Sequence, residues 1–379
     1  MKVLEIVFKD PRSSPGGVES VSSLITDFLH QKGIFVTTVF QVYRPQEIRR
    51  SIENEFVCLS SPFPDSSLFL PINKILYNVR LLLLYRKHVN NYDIVHVNGD
   101  AGGLLLFKTA FAKKSVVTIH GSAKTTYRKV SKYYTPFKRM GMLIMSAISD
   151  RFEKIAVKRA KELIFVSNDA SIEFLSLLHK KHFEIIYNGA DTNFFFPTQN
   201  KRILIEELKL DLRSNYAIWV GKDIVRKGLN VAIKAINRSD NFKLIVVGSE
   251  VPKPWKNDKV IPYGQVPKET LRELYQISSL LIFPSVHEGF SVSVMEAMSC
   301  GVIPMIYSKS PSSEILTDNF DSILIDNERG FFKSLNKVGH NHDLLEYLSQ
   351  NARNSAIKYS NVRMCEKYLE VFSRVKAHN

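Results

Sequence analysis

Cysteine is scarce in this sequence, and long apolar runs are missing. Only three cysteines occur in 379 residues, and Cys58, Cys300 and Cys365 stand far apart without a C-x-x-C spacing. This pattern excludes a disulfide framework and a structural zinc site, and it indicates a reducing compartment. The densest apolar run, Leu81–Leu84, lies between arginines and is far shorter than the ~18 residues of a membrane-spanning helix. We therefore expect a cytoplasmic protein, either soluble or peripheral to a membrane.

A secretion signal is not expected either. The first residues, Met1–Ile6, carry charged side chains within their apolar run and have no small-residue cleavage site. We expect them to form the first β-strand.

Acidic residues are few relative to basic ones. The sequence has 52 lysines and arginines against 37 aspartates and glutamates, which gives a formal net charge of +15. Such an excess favours an anionic partner, for example a nucleic acid, an acidic membrane surface or a phosphorylated ligand. No helix-turn-helix, RNA-recognition or zinc-finger pattern accompanies the charge, so we expect no nucleic-acid partner.

The basic excess is concentrated in residues 124–161. This segment holds eleven basic residues and two acidic ones, interleaved with aromatic and apolar side chains such as Phe137 and Met140. A membrane-interfacial segment has this composition, because its apolar side enters the headgroup region while its cations meet anionic lipid. An amphipathic core helix with a solvated basic face fits the pattern equally well.

Short β-branched runs alternate with helical patterns along most of the chain. Such alternation predicts α/β architecture with βαβ units and parallel sheets. A polar stretch at 197–211 separates two sets of six strands, so we predict two doubly wound, Rossmann-like domains, 1–196 and 197–379, that face each other across a deep cleft. We expect the last helix, about 360–379, to pack back on the first domain. The predicted strands are Val3–Phe8, Val36–Phe40, Asp93–Val97, Val116–Ile119, Glu162–Val166, Glu184–Tyr187, Ala217–Val220, Lys243–Val247, Lys259–Pro262, Leu280–Phe283, Val302–Ile306 and Ile323–Ile325.

Two glycine-containing turns between a strand and a helix are candidate anion sites. Gly16-Gly17 follows the loop Pro11–Pro15 after the first strand, and Gly221-Lys222 with Lys227-Gly228 follows the strand at Ala217–Val220. Glycines at such turns let a ligand approach the helix N-terminus, and two lysines five residues apart can converge on a diphosphate. An ordinary turn and a solvated basic loop explain the same residues.

A later strand–turn–helix segment, residues 283–301, carries the richest pattern. It places Glu288 before the helix and Glu296 within its first turns, so both carboxylates can accept hydrogen bonds from ligand hydroxyls. We expect the backbone amides of Gly289–Val292 to be open to phosphate or sugar oxygens. Alternatively, Ser293 and Glu296 form a capping box with a purely structural role.

Together these residues resemble the retaining glycosyltransferases of family four, which have the GT-B fold. The family's E-x7-E motif is matched by Glu288-Gly289-Phe290 and Glu296-Ala297-Met298, with Cys300, Gly301 and Pro304 after them. Further matches span nearly the whole chain in the family's order: Gly16–Glu19 for the N-terminal glycine loop, Thr118–Gly121 for the strand-end histidine, Asn188–Pro197 for the linker, Gly221–Gly228 for the phosphate site and Ser312–Ile315 for the late donor loop.

The resemblance implies a retaining enzyme that needs no metal or other cofactor. It implies transfer of a sugar from a UDP- or GDP-linked donor, held by the C-terminal domain, to a glycan or lipid-linked acceptor held by the N-terminal domain, in polysaccharide or lipopolysaccharide synthesis. The implied catalytic residues are His120, Lys222, Lys227 and Glu288, with the lysines on the diphosphate and His120 orienting the donor sugar. The other implied donor-binding residues are Gly16, Gly17, Gly221, Val266 near the base, Gly289, Phe290, Ser291, Val292 and Glu296, the last on the ribose hydroxyls.

Two departures from the family pattern concern the donor site. Lys222 replaces the commoner arginine, which keeps the charge but loses the bidentate fork. Ser291-Val292-Ser293 replaces Gly-Leu-Pro and adds side chains where the backbone faces the sugar. The alternative functions are a GT-B nucleotide-sugar epimerase, a phosphorylase and a non-catalytic partner subunit.

Overall fold

The structure is a computed structural model that describes residues 1–12, 16–43, 55–64, 69–178 and 181–378. The chain divides into two compact units, Met1–Tyr187 with Val362–Asn379, and Asn188–Asn361. The first unit ends before the predicted boundary at residue 196, and it includes nearly all of the last helix. Residues 13–15 of the predicted loop Pro11–Pro15 lie outside the described residues.

The first unit is built on a seven-stranded parallel sheet with strand order β3-β2-β1-β4-β5-β6-β7. The central strands β4 and β5 are buried at every position, as expected for strands covered by helices on both faces. The strands are β1 (Lys2–Lys9), β2 (Phe35–Tyr43), β3 (Glu55–Ser61), β4 (Ile94–Asn98), β5 (Ser115–Ile119), β6 (Glu162–Phe165) and β7 (Phe183–Ile185). The helices are α1 (Gly17–Gln31), α2 (Leu70–Tyr85), α3 (Thr109–Lys113), α4 (Ala123–Val130), α5 (Pro136–Arg159), α6 (Asn168–Ile172) and α7 (Leu175–Leu178).

The second unit is built on a six-stranded parallel sheet with strand order β10-β9-β8-β11-β12-β13. The strands are β8 (Asn215–Val220), β9 (Phe242–Val247), β10 (Val260–Gly264), β11 (Leu280–Phe283), β12 (Ile303–Tyr307) and β13 (Ile323–Ile325). The helices are α8 (Lys201–Glu207), α9 (Leu229–Asn237), α10 (Lys268–Ile277), α11 (Val292–Ser299), α12 (Glu328–Gly339) and α13 (His342–Lys358). The last helix, α14 (Asn361–Ala377), follows.

The predicted fold class, two parallel-sheet Rossmann-like domains, is confirmed. All twelve predicted strands are present, and their ends agree with the structure to within three residues. The strand that the sequence did not reveal is β3, which pairs with β2 at the edge of the first sheet. Its sequence, EFVCLSS, has a short apolar run at 56–59 between Glu55 and two serines, and as an edge strand it is only partly buried.

Candidate active site

In the second unit, the strand order reverses between β8 and β11 at the centre of the sheet. Open parallel sheets bind ligands beyond the carboxyl ends of their strands at such a reversal. Gly221-Lys222 directly follows β8, and the segment 284–291 directly follows β11. Because the strands are parallel, the loops after β10 and β12 leave the sheet at the same edge, so Val266 and Ser312 also lie on this side.

Glu288 lies at the centre of a charged cluster at this edge. One of its oxygens, Oε1, accepts hydrogen bonds from Arg226 Nη1 at 2.6 Å and from Ser285 Oγ at 2.8 Å. The ammonium nitrogen of Lys227 is 3.1 Å from the same oxygen and 4.5 Å from the centre of the Phe283 ring. Two cations therefore share one oxygen of Glu288, and Asp223 Oδ2, 3.9 Å from Arg226 Nε, is a second and more distant counter-charge.

The pKa values of Glu288 and Lys227 follow from burial and from the contacts between the cations and the carboxylate. Burial alone would raise the pKa of Glu288, but Lys227, Arg226 and the Ser285 hydroxyl outweigh burial and lower it. Burial lowers the pKa of Lys227, and Glu288 opposes that effect. The carboxylate therefore stays ionised at neutral pH and holds both cations in place.

The backbone around the cluster is fixed by close contacts between two loops. Gly228 has φ +69°, and a Cβ at this position would meet the carbonyl oxygen of Pro284 at 2.2 Å. The amide of Val286 donates to the Arg226 carbonyl at 2.8 Å, and the Trp219 indole donates to the Lys227 carbonyl at 3.0 Å. The turn after β8 is thus held against the loop after β11, which positions the two cations beside Glu288.

Glu296 lies one helical turn into α11, and the capping-box interpretation is wrong. The N-cap residue of α11 is Ser291, its side chain makes no capping hydrogen bond, and Ser293 lies inside the helix. The partly buried carboxyl of Glu296 accepts a hydrogen bond from the Tyr275 hydroxyl at 3.4 Å. Burial raises the pKa of Glu296 to about 7, although Lys268 and the Tyr275 hydrogen bond act against this rise.

The expectation of open amides before α11 is wrong for Ser291. Its N–H donates to Ser312 Oγ at 3.0 Å, because the short 3₁₀ helix Pro311–Ile315 places that hydroxyl beside the turn. The carbonyl of Phe290 accepts a hydrogen bond from Asn188 Nδ2 at 3.2 Å. Ser312 and Asn188 therefore fix the turn that carries the first residues of the E-x7-E segment.

In the first unit, the strand order reverses between β1 and β4, and the glycine pair lies after β1. Gly16 is the N-cap residue of α1, and Gly17 is the first residue of that helix. At Gly17 no atom of the described residues comes within 4 Å of the place that a Cβ would occupy. Protein packing thus does not require glycine at this position.

His120 follows β5 and is oriented by Asn98 at the end of β4. The Asn98 amide nitrogen donates to Glu5 Oε1 at 2.8 Å and to the Ile6 carbonyl at 3.2 Å. Its Oδ1 is therefore directed at His120 Nε2, 3.1 Å away, so Nε2 carries the proton and Nδ1 carries the lone pair. Burial, with a smaller effect of His96, lowers the pKa of His120 to about 3, so the ring is neutral at pH 7.

The residues that orient these groups are not among those predicted from the sequence. Arg226 and Ser285 bind Glu288 in the second unit, and Glu5 and Asn98 hold His120 in the first. Glu5 is fully buried and also contacts His96 Nδ1 at 2.5 Å. A signal was present in the first unit, since charged and polar residues interrupt the apolar strands β1 and β4.

In the described part of the chain, no group of three or more histidine, cysteine, aspartate or glutamate side chains is arranged to hold a metal ion. No helix among the described residues combines the length and the apolar character needed to cross a bilayer.

Comparisons with known families cover most of the chain. The family described as "Glycosyltransferase Family 4" matches residues 15–194, and "Glycosyl transferases group 1" matches residues 200–355.

Among curated proteins, the chain is similar to an N,N'-diacetylbacillosaminyl-diphospho-undecaprenol alpha-1,3-N-acetylgalactosaminyltransferase from Campylobacter jejuni. The two are 23% identical over 238 residues, which cover 59% of this chain and 62% of that relative. The match therefore spans less than two thirds of the relative's length.

Among solved structures, the fold is similar to sucrose-phosphate synthase from Thermosynechococcus elongatus, with a TM-score of 0.84, 16% identity and full coverage of both chains. It is also similar to Anabaena Alr3699/HepE in complex with UDP-glucose, with a TM-score of 0.71, 14% identity and coverage of 99% and 100%.

Proposed function

The chain belongs to the glycosyltransferases of family four, with the GT-B fold, and from this premise we propose that it transfers a sugar from a nucleotide sugar to a glycan or lipid-linked acceptor. The transfer retains the anomeric configuration and uses no metal ion. The second unit holds the donor, and the first unit holds the acceptor.

The observation that carries this proposal is the cluster of Arg226, Lys227 and Glu288. The leaving group of the reaction is a nucleoside diphosphate, so the main requirement is positive charge at its oxygens as the glycosidic bond breaks. The cluster holds two cations at the strand-order reversal, beside the turn that carries Lys222. Fixed cations of this kind meet the requirement that a metal ion meets in other enzymes.

We assign the remaining donor contacts from the resemblance to the family. Lys222 joins Lys227 on the diphosphate, and Glu296 accepts hydrogen bonds from the ribose hydroxyls. Val266 lies beside the base. Glu288 and the segment Gly289–Val292 hold the sugar, and from the first unit Gly16 and Gly17 approach the diphosphate while His120 orients the sugar through the lone pair on Nδ1.

The chemical step needs no second carboxylate. The acceptor hydroxyl oxygen attacks the anomeric carbon from the face of the leaving group, and the bond between that carbon and the phosphate oxygen breaks. The hydroxyl proton passes to the departing phosphate oxygen, so the products are the glycoside and the nucleoside diphosphate. Lys222 and Lys227 stabilise the negative charge that develops on the diphosphate.

The donor that we propose is UDP- or GDP-linked, and the relatives support a nucleotide-sugar donor and a lipid-linked acceptor. The name of the Campylobacter relative describes a diphospho-undecaprenol acceptor, and the Anabaena protein was solved with UDP-glucose. We place the reaction in polysaccharide or glycolipid synthesis on the cytoplasmic face of a membrane.

The first half of α5 supports contact with that membrane. Phe137, Met140 and Ile144 share one side of the helix and are 79%, 58% and 48% exposed. The second half of α5 is different, since Phe152, Ala156 and Val157 are buried in the core of the first unit. The core-helix interpretation of the basic segment therefore describes only the second half, and the first half has the exposed apolar stripe of an interfacial helix.

The experiment is an assay of nucleoside diphosphate release from a panel of nucleotide sugars, with and without diphospho-undecaprenol-linked saccharides and with and without EDTA. We expect acceptor-dependent release that EDTA does not change, and a product whose anomeric configuration by NMR is that of the donor. Release of an altered free sugar without acceptor would identify an epimerase. No turnover and no nucleotide binding by the folded protein would identify a non-catalytic subunit.

A further inference from the structure

The second unit has a large cavity at the edge of its sheet opposite the candidate active site. Its volume is about 730 Å³. Its walls include Asn215, the first residue of β8, Ser279, which directly precedes β11, and Ile303, the first residue of β12. The cavity therefore lies at the amino ends of the strands, whereas Lys227 and Glu288 lie at their carboxyl ends.

A partly buried lysine, Lys201, lines this cavity. The ammonium of Lys201 donates one hydrogen bond, to Ser279 Oγ at 3.3 Å. Among the described residues no carboxylate forms an ion pair with it, and burial lowers the pKa of its ammonium to about 8. A charge that is withdrawn from water without a counter-charge destabilises the folded protein unless a ligand supplies one.

Two arginines add positive charge at the rim. Arg202 and Arg213 line the same cavity, with side chains 81% and 93% exposed. Their ion pairs with neighbouring carboxylates are long, at 3.7 and 3.6 Å, and such exposed pairs are weak. Glu346 is the one acidic residue among the described lining residues, so the lining has an excess of two positive charges.

The rest of the wall is largely apolar. Ile205, Leu212, Ile303 and Leu345 line the cavity. The volume falls within the range of about 300–1,000 Å³ that is typical of small-molecule sites, and it is far larger than a phosphate ion needs. A ligand that fits this space has an organic body as well as an anionic group.

We propose that this cavity binds an organic phosphomonoester, such as a sugar phosphate, with its phosphate on Lys201 and between the two arginines. A phosphomonoester carries about −1.5 to −2 charges at neutral pH, which matches the excess of two positive charges. A carboxylate carries one charge and leaves one cation uncompensated. The site is separate from the donor site and does not depend on the proposed transfer reaction.

Isothermal titration of the full chain with glucose 6-phosphate tests the proposal, with glucose and inorganic phosphate as the comparison ligands. Lys201→Met removes the charge at similar size. Lys234→Met, on the exposed face of α9 in the same unit, is the matched control. We expect the wild type and Lys234→Met to bind equally and Lys201→Met to bind about tenfold more weakly or worse, because a charge-assisted contact is lost. Glucose should not bind, and inorganic phosphate should bind less tightly than the ester.

A variant of the candidate active site separates the two possible locations of the phosphate. Lys227→Met should keep the affinity of the wild type for glucose 6-phosphate. Loss of binding in Lys227→Met together with wild-type binding in Lys201→Met would place the ligand in the active site and overturn the proposal. Absence of binding to the wild type, or inorganic phosphate binding as tightly as the ester, would also overturn it.

A second variant tests the proposal even if Lys201→Met disturbs the fold. Arg213→Ala alters only an exposed rim side chain, and it should weaken binding of the ester several-fold without lowering Tm. In the absence of any anion, Lys201→Met should raise Tm, since it removes an uncompensated charge. A lower Tm for Lys201→Met in phosphate-free buffer would show that the charge is already compensated within the protein.

Discussion

Glu288 is a residue whose substitution should lower the stability of the second unit. In Glu288→Gln, Arg226 and Lys227 lose their shared carboxylate and repel each other. We expect a loss of about 3–5 kcal/mol in the free energy of unfolding at pH 7, measured by urea denaturation. The reason is that removing one partner of a buried ion pair leaves the other charge uncompensated. Glu207→Gln, on the exposed end of α8, is the matched control and should change stability little.

The pH dependence of that loss has a defined direction. The pKa of Glu288 is lower in the folded protein than in the unfolded chain. At a pH above the unfolded pKa, the carboxylate therefore stabilises the fold. This contribution is lost as the pH falls through the folded pKa. The difference between wild type and Glu288→Gln should therefore narrow on acidification. A difference that stayed constant from pH 7 to pH 3 would contradict the role of charge in this cluster.

Glu296 should show the opposite dependence on pH. Its pKa is raised by burial to about 7 in the folded chain from an ordinary value of 4.5, so the protonated carboxyl stabilises the fold. That contribution is complete below pH 4.5 and is lost as the pH rises through 7. Relative to Glu296→Gln, the wild type should lose stability between pH 5 and pH 8 in urea unfolding. Parallel stability profiles for the two proteins would contradict the raised pKa.

At the scale of elements, the two βα turns use glycine for different reasons. Gly17→Ala should leave Tm unchanged or raise it slightly, because a Cβ meets no described atom there and alanine favours the helix. It should nevertheless lower kcat/KM if the diphosphate approaches the start of α1. Gly228→Ala should lower Tm instead, since φ is +69° and the Pro284 carbonyl is 2.2 Å from a Cβ. A Gly17→Ala enzyme with wild-type kinetics would remove the start of α1 from the donor site.

Much of the fold could be predicted from the sequence because buried parallel strands are apolar at nearly every position. Leu280–Phe283 and Ile323–Ile325 begin and end where predicted. The edge strand β3, whose apolar run at 56–59 is followed by two serines, was not predicted. The capping-box interpretation of Ser293 and Glu296 is wrong because a Ser-x-x-Glu pattern also occurs inside a helix, and the structure places the N-cap at Ser291.

The candidate site could be predicted less completely than the fold. The motif residues Glu288, Lys227 and Glu296 were found because they recur at fixed spacing in a known pattern. Arg226 and Ser285 were not, since their contacts with Glu288 depend on how two loops meet after β8 and β11. Pairings across two loops are set by the tertiary fold, and local sequence carries no record of them.

At the scale of the whole molecule, the net charge of +15 and the exposed stripe on α5 predict binding to anionic membranes. Flotation with liposomes should increase with the fraction of anionic lipid and decrease with salt, because screening shortens the range of the attraction. Phe137→Asp should reduce flotation. Ile357→Asp, an exposed apolar position on α13, should not. Flotation that is independent of lipid charge, or equal in the two variants, would contradict membrane contact through α5.

The most direct test of the central claim is isothermal titration of UDP and GDP with the wild type, Lys227→Met and Lys234→Met, each with and without EDTA. We expect one of the two nucleotides to bind the wild type and Lys234→Met equally. EDTA should have no effect, and Lys227→Met should weaken binding about tenfold or more. Equal binding by Lys227→Met, or no binding of either nucleotide to the folded wild type, would contradict a donor site built on Arg226, Lys227 and Glu288.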